Sequence, residues 1–394
     1  MRGLPHCLIA VSLLTSVACS SPAAPPHSGA PDASSGTGDA TPGDANPIDG
    51  GSLPSCDSWT LEAPYPDHNS GSSTTAVVDQ AGVLHVGTAV PNPPTANFFA
   101  HLSRSPDGEW SKLVPTNFSI DASSVVSLAV DSDDQVVACF TTAYVKMWAL
   151  ASVFHEDVAV GDSFAGCSLV VDVGDTPRAS YTSGTNYVAY SARTEEGWTS
   201  QNREIIDNVL DSSETTMGLD GTGTPHVAYY ARDDDGGRLL RHAIRIGADS
   251  WQVETVGQSG YGIGTRPAMT LDDDGHVHVS FAGVDYDLRY AVRDLNGTWE
   301  SEIVDDNTMS AFGSAIAVDD HNVVHIAYYK LGDRDLAYAH RGPGSSWKKQ
   351  VIDANGDVGG YPGLAISGDG TVHIVYRDET NRTMKHALCN PSSQ

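Results

Sequence analysis

The strongest constraint on how this chain can fold is a repeat. One pattern returns seven times: AVVDQAGVLHVGT from residue 76, SLAVDSDDQVVACF from 127, SLVVDVGDTPRASY from 168, MGLDGTGTPHVAYY from 217, MTLDDDGHVHVSF from 269, AIAVDDHNVVHIAYY from 315 and GLAISGDGTVHIVY from 363. A turn residue opens each copy: Asp79, Asp131, Asp172, Asp220, Asp272, Asp319 or Ser367. Six residues later stand His85, Val137, Arg178, His226, His278, His325 and His373, and three further on Thr88, Phe140, Tyr181, Tyr229, Phe281, Tyr328 and Tyr376. Polar turn, alternating apolar run and aromatic anchor therefore recur as one unit, which is the signature of paired short strands rather than helices.

A third strand follows in each copy, with a ring at His101, Trp148, Tyr190, His242, Tyr290, Tyr338 and His386. A fourth begins with tryptophan at Trp110, Trp198, Trp251, Trp299 and Trp347, while the second copy has FHEDVAV instead. Four antiparallel strands in about 48 residues make one blade, so the chain is expected to be an all-β, seven-bladed β-propeller over residues 56–390. The last copy runs out after MKHALC, and CDSWTLEAP at residues 56–64 carries an unpaired fourth-strand pattern. The N-terminal strand is thus expected to complete the last blade, which brings Cys56 beside Cys389 within disulfide reach. Cys139 and Cys167 either form a second bridge between neighbouring blades or stay as buried thiols.

The ends read differently. Residues 1–18, MRGLPHCLIAVSLLTSVA, have the early charge, short apolar run and small residues of an export signal, and the run is too short to span a membrane. The ending SVAC resembles a bacterial lipobox, with Ser16 where leucine is usual; the resemblance implies lipidation of Cys19, and plain secretion is the alternative. Residues 19–55 are rich in Ser, Pro, Gly and Asp and are expected to be a disordered tether. With 22 basic against 50 acidic residues and a net charge of -28, binding to nucleic acid or anionic lipid is excluded as a main activity. Membrane contact is expected only through a lipid at Cys19, and the propeller is expected to be a monomer.

SPDGEW at residues 105–110 is close to, but shorter than, the spacing S-x-D-x-G-x-x-W, and with the repeated turns it resembles the aspartate-box propellers of the sialidase superfamily. That resemblance implies architecture rather than a reaction. Arg104, Arg193, Arg245, Arg293 and Arg341 recur near one third-strand end, where salt bridges and turn packing are their expected work. The second-strand histidines invite comparison with propellers that hold axial iron, giving a metal-dependent enzyme as one reading; hydrogen bonding to the turn aspartate or a neighbouring blade is the plainer one. His276 and His278 share a strand face and would need further ligands to hold zinc or copper, so no metal is assigned. The acid-rich turns RDDDGG from 232 and GVDYD from 283 leave calcium possible; no other cofactor is expected.

Function in such a fold is expected on the face built by the second-to-third and fourth-to-first connections. Phe164, Tyr261, Phe312 and Tyr361 on those loops, with Asp285, Asp333 and Asp378, form the expected ligand set for a carbohydrate or protein; the same aromatics would serve to plug the channel. The alternative is a polysaccharide lyase, for which resemblance to seven-bladed lyases implies His242, Tyr261 and Arg266 as the catalytic trio.

Overall fold

The computed structural model describes residues 56–391, apart from 66–69, 71–72, 93–95, 115–118, 121–125, 142–144, 150–153, 158–163, 184–186, 210–213, 233–234, 260–265 and 307–312. The export signal, the tether and Cys19 lie outside the described residues, as do Tyr261 and Phe312. Alternation dictates what forms: Val277–Ala282 buries nearly every side chain, Leu288–Arg293 buries Leu288, Tyr290 and Ala291, and positive-φ turn residues such as Gly275 reverse the chain between strands. In each Asp turn one carboxylate oxygen accepts a backbone N–H four residues on, as Asp79 does from Val83 at 2.7 Å and Asp319 from Val323 at 2.8 Å.

The described strands pair into seven antiparallel sheets, one carrying a short fifth strand, Ser119–Ile120. Their inner strands are Thr74–Val78, Val126–Val130, Phe164–Val171, Thr215–Leu219, Ala268–Leu271, Ser314–Val318 and Val358–Ile366, which number sheets one to seven. Each inner strand packs on the next, and the seventh packs back on the first. The result is a β-propeller with four antiparallel strands per blade. Serine hydroxyls blunt the inner edges: Ser73 accepts from the Val126 N–H at 3.2 Å, Ser127 from Leu169 at 3.0 Å and Ser168 from Met217 at 3.0 Å.

Ring closure follows the expected route, with Thr60–Tyr65 pairing antiparallel to Thr383–Cys389 in sheet seven. Cys56 and Cys389 are bonded with Cα atoms 5.7 Å apart, and Cys139 bridges sheet two to Cys167 of sheet three at 6.3 Å. Such bonds belong to oxidising compartments. Among the described residues no helix is long and apolar enough to cross a membrane. One expectation needs correction: Trp198 does not begin a fourth strand, because a β-bridge from Thr194 to Gly197 and a 3-10 turn at Ser200–Asn202 delay that strand to Arg203–Asp207.

Neighbouring blades are locked by a repeated polar cluster. A fourth-strand glutamate of one sheet accepts both guanidinium N–H groups and the indole N–H of the next. Glu62 takes Arg104 at 3.1 and 3.0 Å and Trp110 at 2.9 Å. Glu204 takes Arg245 at 2.8 and 2.6 Å and Trp251 at 3.1 Å. Glu254 takes Arg293 at 2.8 and 3.0 Å and Trp299 at 3.0 Å. At these three junctions the arginine and tryptophan are thus mortar between blades, and bidentate geometry is what makes arginine the residue used.

A second contact covaries within the chain. The second-strand tyrosines Tyr229, Tyr328 and Tyr376 donate at 2.7, 2.8 and 2.7 Å to Asp207, Asp305 and Asp353 of the preceding sheet. Sheet five has Phe281 instead, and the preceding sheet has Gly257, where a Cβ would lie 3.2 Å from the Phe281 ring. No hydroxyl means no acceptor is needed. Tyr328→Phe is therefore expected to cost about 1–2 kcal/mol by stranding a buried carboxylate oxygen, read from denaturant melts; an unchanged midpoint would remove the bond from the ledger.

Candidate functional site

The second-strand histidines do not converge on the axis; each is buried between the turn residue of its own copy and a third-strand ring. His85 Nε2 lies 2.9 Å from Asp79 and its Nδ1 3.0 Å from His101 Nε2. His278 pairs with Asp272 at 3.2 Å and the Tyr290 hydroxyl at 2.6 Å, and His325 pairs with Asp319 at 3.3 Å and Tyr338 at 2.5 Å. His373 uses Ser367 at 2.9 Å and His386 at 3.1 Å. The metal-enzyme reading built on an axial histidine cluster fails here, because second strands hold these rings inside separate blades.

Burial keeps several of these imidazoles neutral. It lowers His101 and His226 to about 4 and His373 to about 3, with the paired histidine adding to the effect. An unfolded chain takes up protons near pH 6.5 that these folded rings refuse, so stability is full above that pH and is lost as pH falls toward about 4. The melting temperature is expected to drop by roughly 10 °C or more across that window. A flat profile between those pH values would mean that the rings bind protons in the folded state.

His242 belongs to the same scaffold. It has no exposed surface, stacks on His226 with centroids 5.1 Å apart, meets Trp299 edge-on and lies 3.5 Å from Glu254. A base of a lyase must reach a substrate proton within about 3 Å; His242, walled in by two rings and a carboxylate, has no such path. Asp378 is likewise structural, 3 % exposed, accepting from the Asn381 N–H and side-chain amide at 2.8 Å each. Asp285 sits exposed at a turn, and Asp333 is exposed with Lys330 2.8 Å away. Phe164 opens the inner strand of sheet three, with its side chain outside the described atoms.

His276 departs from the expected pair. It stands just ahead of the strand and shares the Asp272 carboxylate with His278, at 2.9 and 3.2 Å, and Asp272, Asp274 and His276 have ligand atoms within 4.8 Å of one another. Asp272 already accepts from the His276 N–H and from both rings.

The candidate site is a ring of equivalent positions, one per blade, near the leading ends of the inner strands, where Glu214 feels Arg266 and Tyr361 feels Glu214. Strand registers pair Thr74 with Thr88, Val126 with Phe140, Cys167 with Tyr181, Thr215 with Tyr229 and Ser314 with Tyr328. The residue just before each of these positions, and its equivalents in sheets five and seven, are Ser73, Val125, Gly166, Glu214, Arg266, Gly313 and Tyr361. All stand six residues ahead of the turn residue, a constant offset that the sequence carries. Val125 is outside the described residues. Two of the members, Arg266 and Tyr361, were expected in the site; Glu214 was not.

Three members of this ring have positive φ: Gly166 at 75°, Gly313 at 82° and Tyr361 at 51°. A tyrosine held where glycine is the natural residue is strained, and such strain gathers at functional positions. Thr74 donates its hydroxyl to the Tyr361 carbonyl and helps hold it. Glu214 keeps partial solvent contact, yet burial raises its carboxyl pKa while Arg266 pulls it back. Burial and Glu379 raise the Tyr361 phenol, opposed by Arg377, with Glu214 acting from across the ring. Arg377 is 6 % exposed, bonded to the Ser70 carbonyl at 2.7 Å and to Glu379 at 2.8 Å. Glu214, Arg266 and Tyr361 therefore offer a carboxyl, a guanidinium and a phenol at one repeated position.

No family model matches the chain, and no curated protein matches it. Among solved structures it is similar to the polysaccharide lyase Uly1, with TM-score 0.52 and 9 % identity over 82 % of this chain and 90 % of that one. The Trypanosoma rangeli sialidase has TM-score 0.48 and 12 % identity over 82 % and 54 %. The SapL1 lectin, solved with alpha methyl fucoside, has TM-score 0.48 and 12 % identity over 75 % and 98 %. Identity this low speaks to the fold alone: the chain is a β-propeller.

Proposed function

We propose that this protein is an exported seven-bladed propeller, tethered by a lipid on Cys19 and residues 20–55, that binds a carbohydrate at the channel mouth. The carrying observation is the ring of Glu214, Arg266 and Tyr361, with Tyr361 held at φ 51°. Hydroxyl-rich ligands need paired donors and acceptors plus a flat face, and this ring supplies all three chemistries. By their place in the sequence, the loop aromatics Phe164, Tyr261 and Phe312 belong to the same set of connections. Lyase chemistry is the weaker reading, because His242 is sealed in the scaffold.

The test is a glycan array followed by titration of the best hit. Tyr361→Gly is the informative variant: glycine relieves the left-handed strain, so stability is expected to hold or rise by about 1 kcal/mol, while affinity falls at least about tenfold. Arg266→Ala is expected to weaken the same ligand. If both variants bind as the parent does, the mouth is not the site. If Tyr361→Gly loses stability along with affinity, Tyr361 is part of the scaffold instead.

A further inference from the structure

The lock between blades changes at ring closure. In sheet six the glutamate position is taken by Gln350, opposite Tyr338 as Glu302 is opposite Tyr290. In sheet seven the arginine position is taken by Cys389, bonded to Cys56. Gln350 donates instead to the Cys56 carbonyl at 2.6 Å. With no guanidinium filling this junction, a cavity of about 290 Å³ remains beside the disulfide, at the end of the blades opposite the channel mouth.

We propose that this cavity binds a small organic amine in its ammonium form. Asp319, Asp320 and Asp369 line it, and no lysine or arginine does. Lys348, opposite His340 in the strand register, is outside the lining. One wall carries the His340 ring, backed by the buried Tyr338 ring stacked 18° from parallel with centroids 5.5 Å apart. Val318, Ile366 and Pro391 add apolar surface for a carbon body. Burial and the adjacent His325 lower His340 to about 4, so its ring presents a neutral face at ordinary pH. Carboxylates on the rim and aromatic faces in the wall are the features that recognise an ammonium over a neutral polar group. At about 30 Å³ per water, the space takes a diamine or a single hexosamine rather than a polymer.

The experiment is calorimetric titration of the full chain at low salt with cadaverine, glucosamine and N-acetylglucosamine. Cadaverine and glucosamine are expected to saturate one site, with N-acetylglucosamine at least about tenfold weaker because it carries no charge. Asp320→Asn with Asp369→Asn is expected to weaken amine binding about tenfold or more, with melting temperature and glycan binding at the mouth unchanged. Equal affinity for the free and acetylated sugars, retained affinity in the double variant, or no saturable amine binding would each overturn the proposal. Since those variants leave the mouth intact, failure here and failure of the carbohydrate reading are separate results.

Discussion

Cys389→Ala is expected to destabilise the folded ring more than loss of the other disulfide does. The Cys56–Cys389 bond spans a sequence separation of 333, against 28 for Cys139–Cys167. The chain-entropy estimate gives upper figures of about 6 and about 4 kcal/mol respectively. Closure has a further consequence, because Thr60–Tyr65 carries Glu62, which holds Arg104, Trp110 and His386 together. Deleting residues 56–65 removes the bond, the edge strand and that lock at once, so the loss should exceed that of Cys389→Ala. Thermal melts with and without reductant check both statements. Equal melting temperatures for parent, Cys389→Ala and the deletion would refute closure as the element that holds the ring.

Glu254→Ala is expected to cost about 3 kcal/mol or more. Its carboxylate and the Arg293 guanidinium have side-chain exposures of only 18 % and 13 %. Removing it leaves the guanidinium and the Trp299 indole without their acceptor in a half-buried junction. The Glu254 carboxyl is held well below the usual carboxylate range by His242 and then Arg293, against the opposing effect of burial. Its stabilising effect is therefore present above about pH 4.5 and persists until the pH falls well below that, so acid loss near pH 5 belongs to the histidines rather than to this lock. The comparison variant is Glu302→Ala, whose side chain is 44 % exposed beside Arg341; an ion pair so open should contribute under about 1 kcal/mol. Similar losses at the two sites in denaturant unfolding would mean that burial does not set the value of the lock.

Much of this was legible because local rules repeat. The spacing from Asp272 to His278 to Phe281 defined turn, strand and anchor in one copy, and six sister copies gave the same answer. The work of the arginines as salt bridges, the histidine-to-aspartate bonds at Asp79, Asp272 and Asp319, and the Cys56–Cys389 bond followed from that register, while the sequence left Cys139 and Cys167 open between a bridge and free thiols. The candidate site was harder for the same reason. Reading copies against one another favours positions that stay constant, and constant positions build blades. Glu214 occupies a position whose occupants are Ser73, Gly166, Arg266, Gly313 and Tyr361 elsewhere. Only the offset is constant there, and the chemistry differs at every step. His242 shows the opposite error: a histidine in a repeated ring position was read as a base, where its repetition marked it as packing.

The sequence by itself determined the blade and how the circle closes, since a two-residue alternation, an aspartate turn and a divided last blade are local facts that need no partner. Only the tertiary structure decided which groups meet. Glu254 and Arg293 lie 39 residues apart, and Cys56 and Gln350 lie 294 apart; no periodicity states that one will find the other. Sheet twist and ring curvature bring each fourth strand against the next blade, and they bring Glu214 within electrostatic reach of Arg266 and Tyr361. Proximity of that kind is a property of the closed ring rather than of any repeat within it.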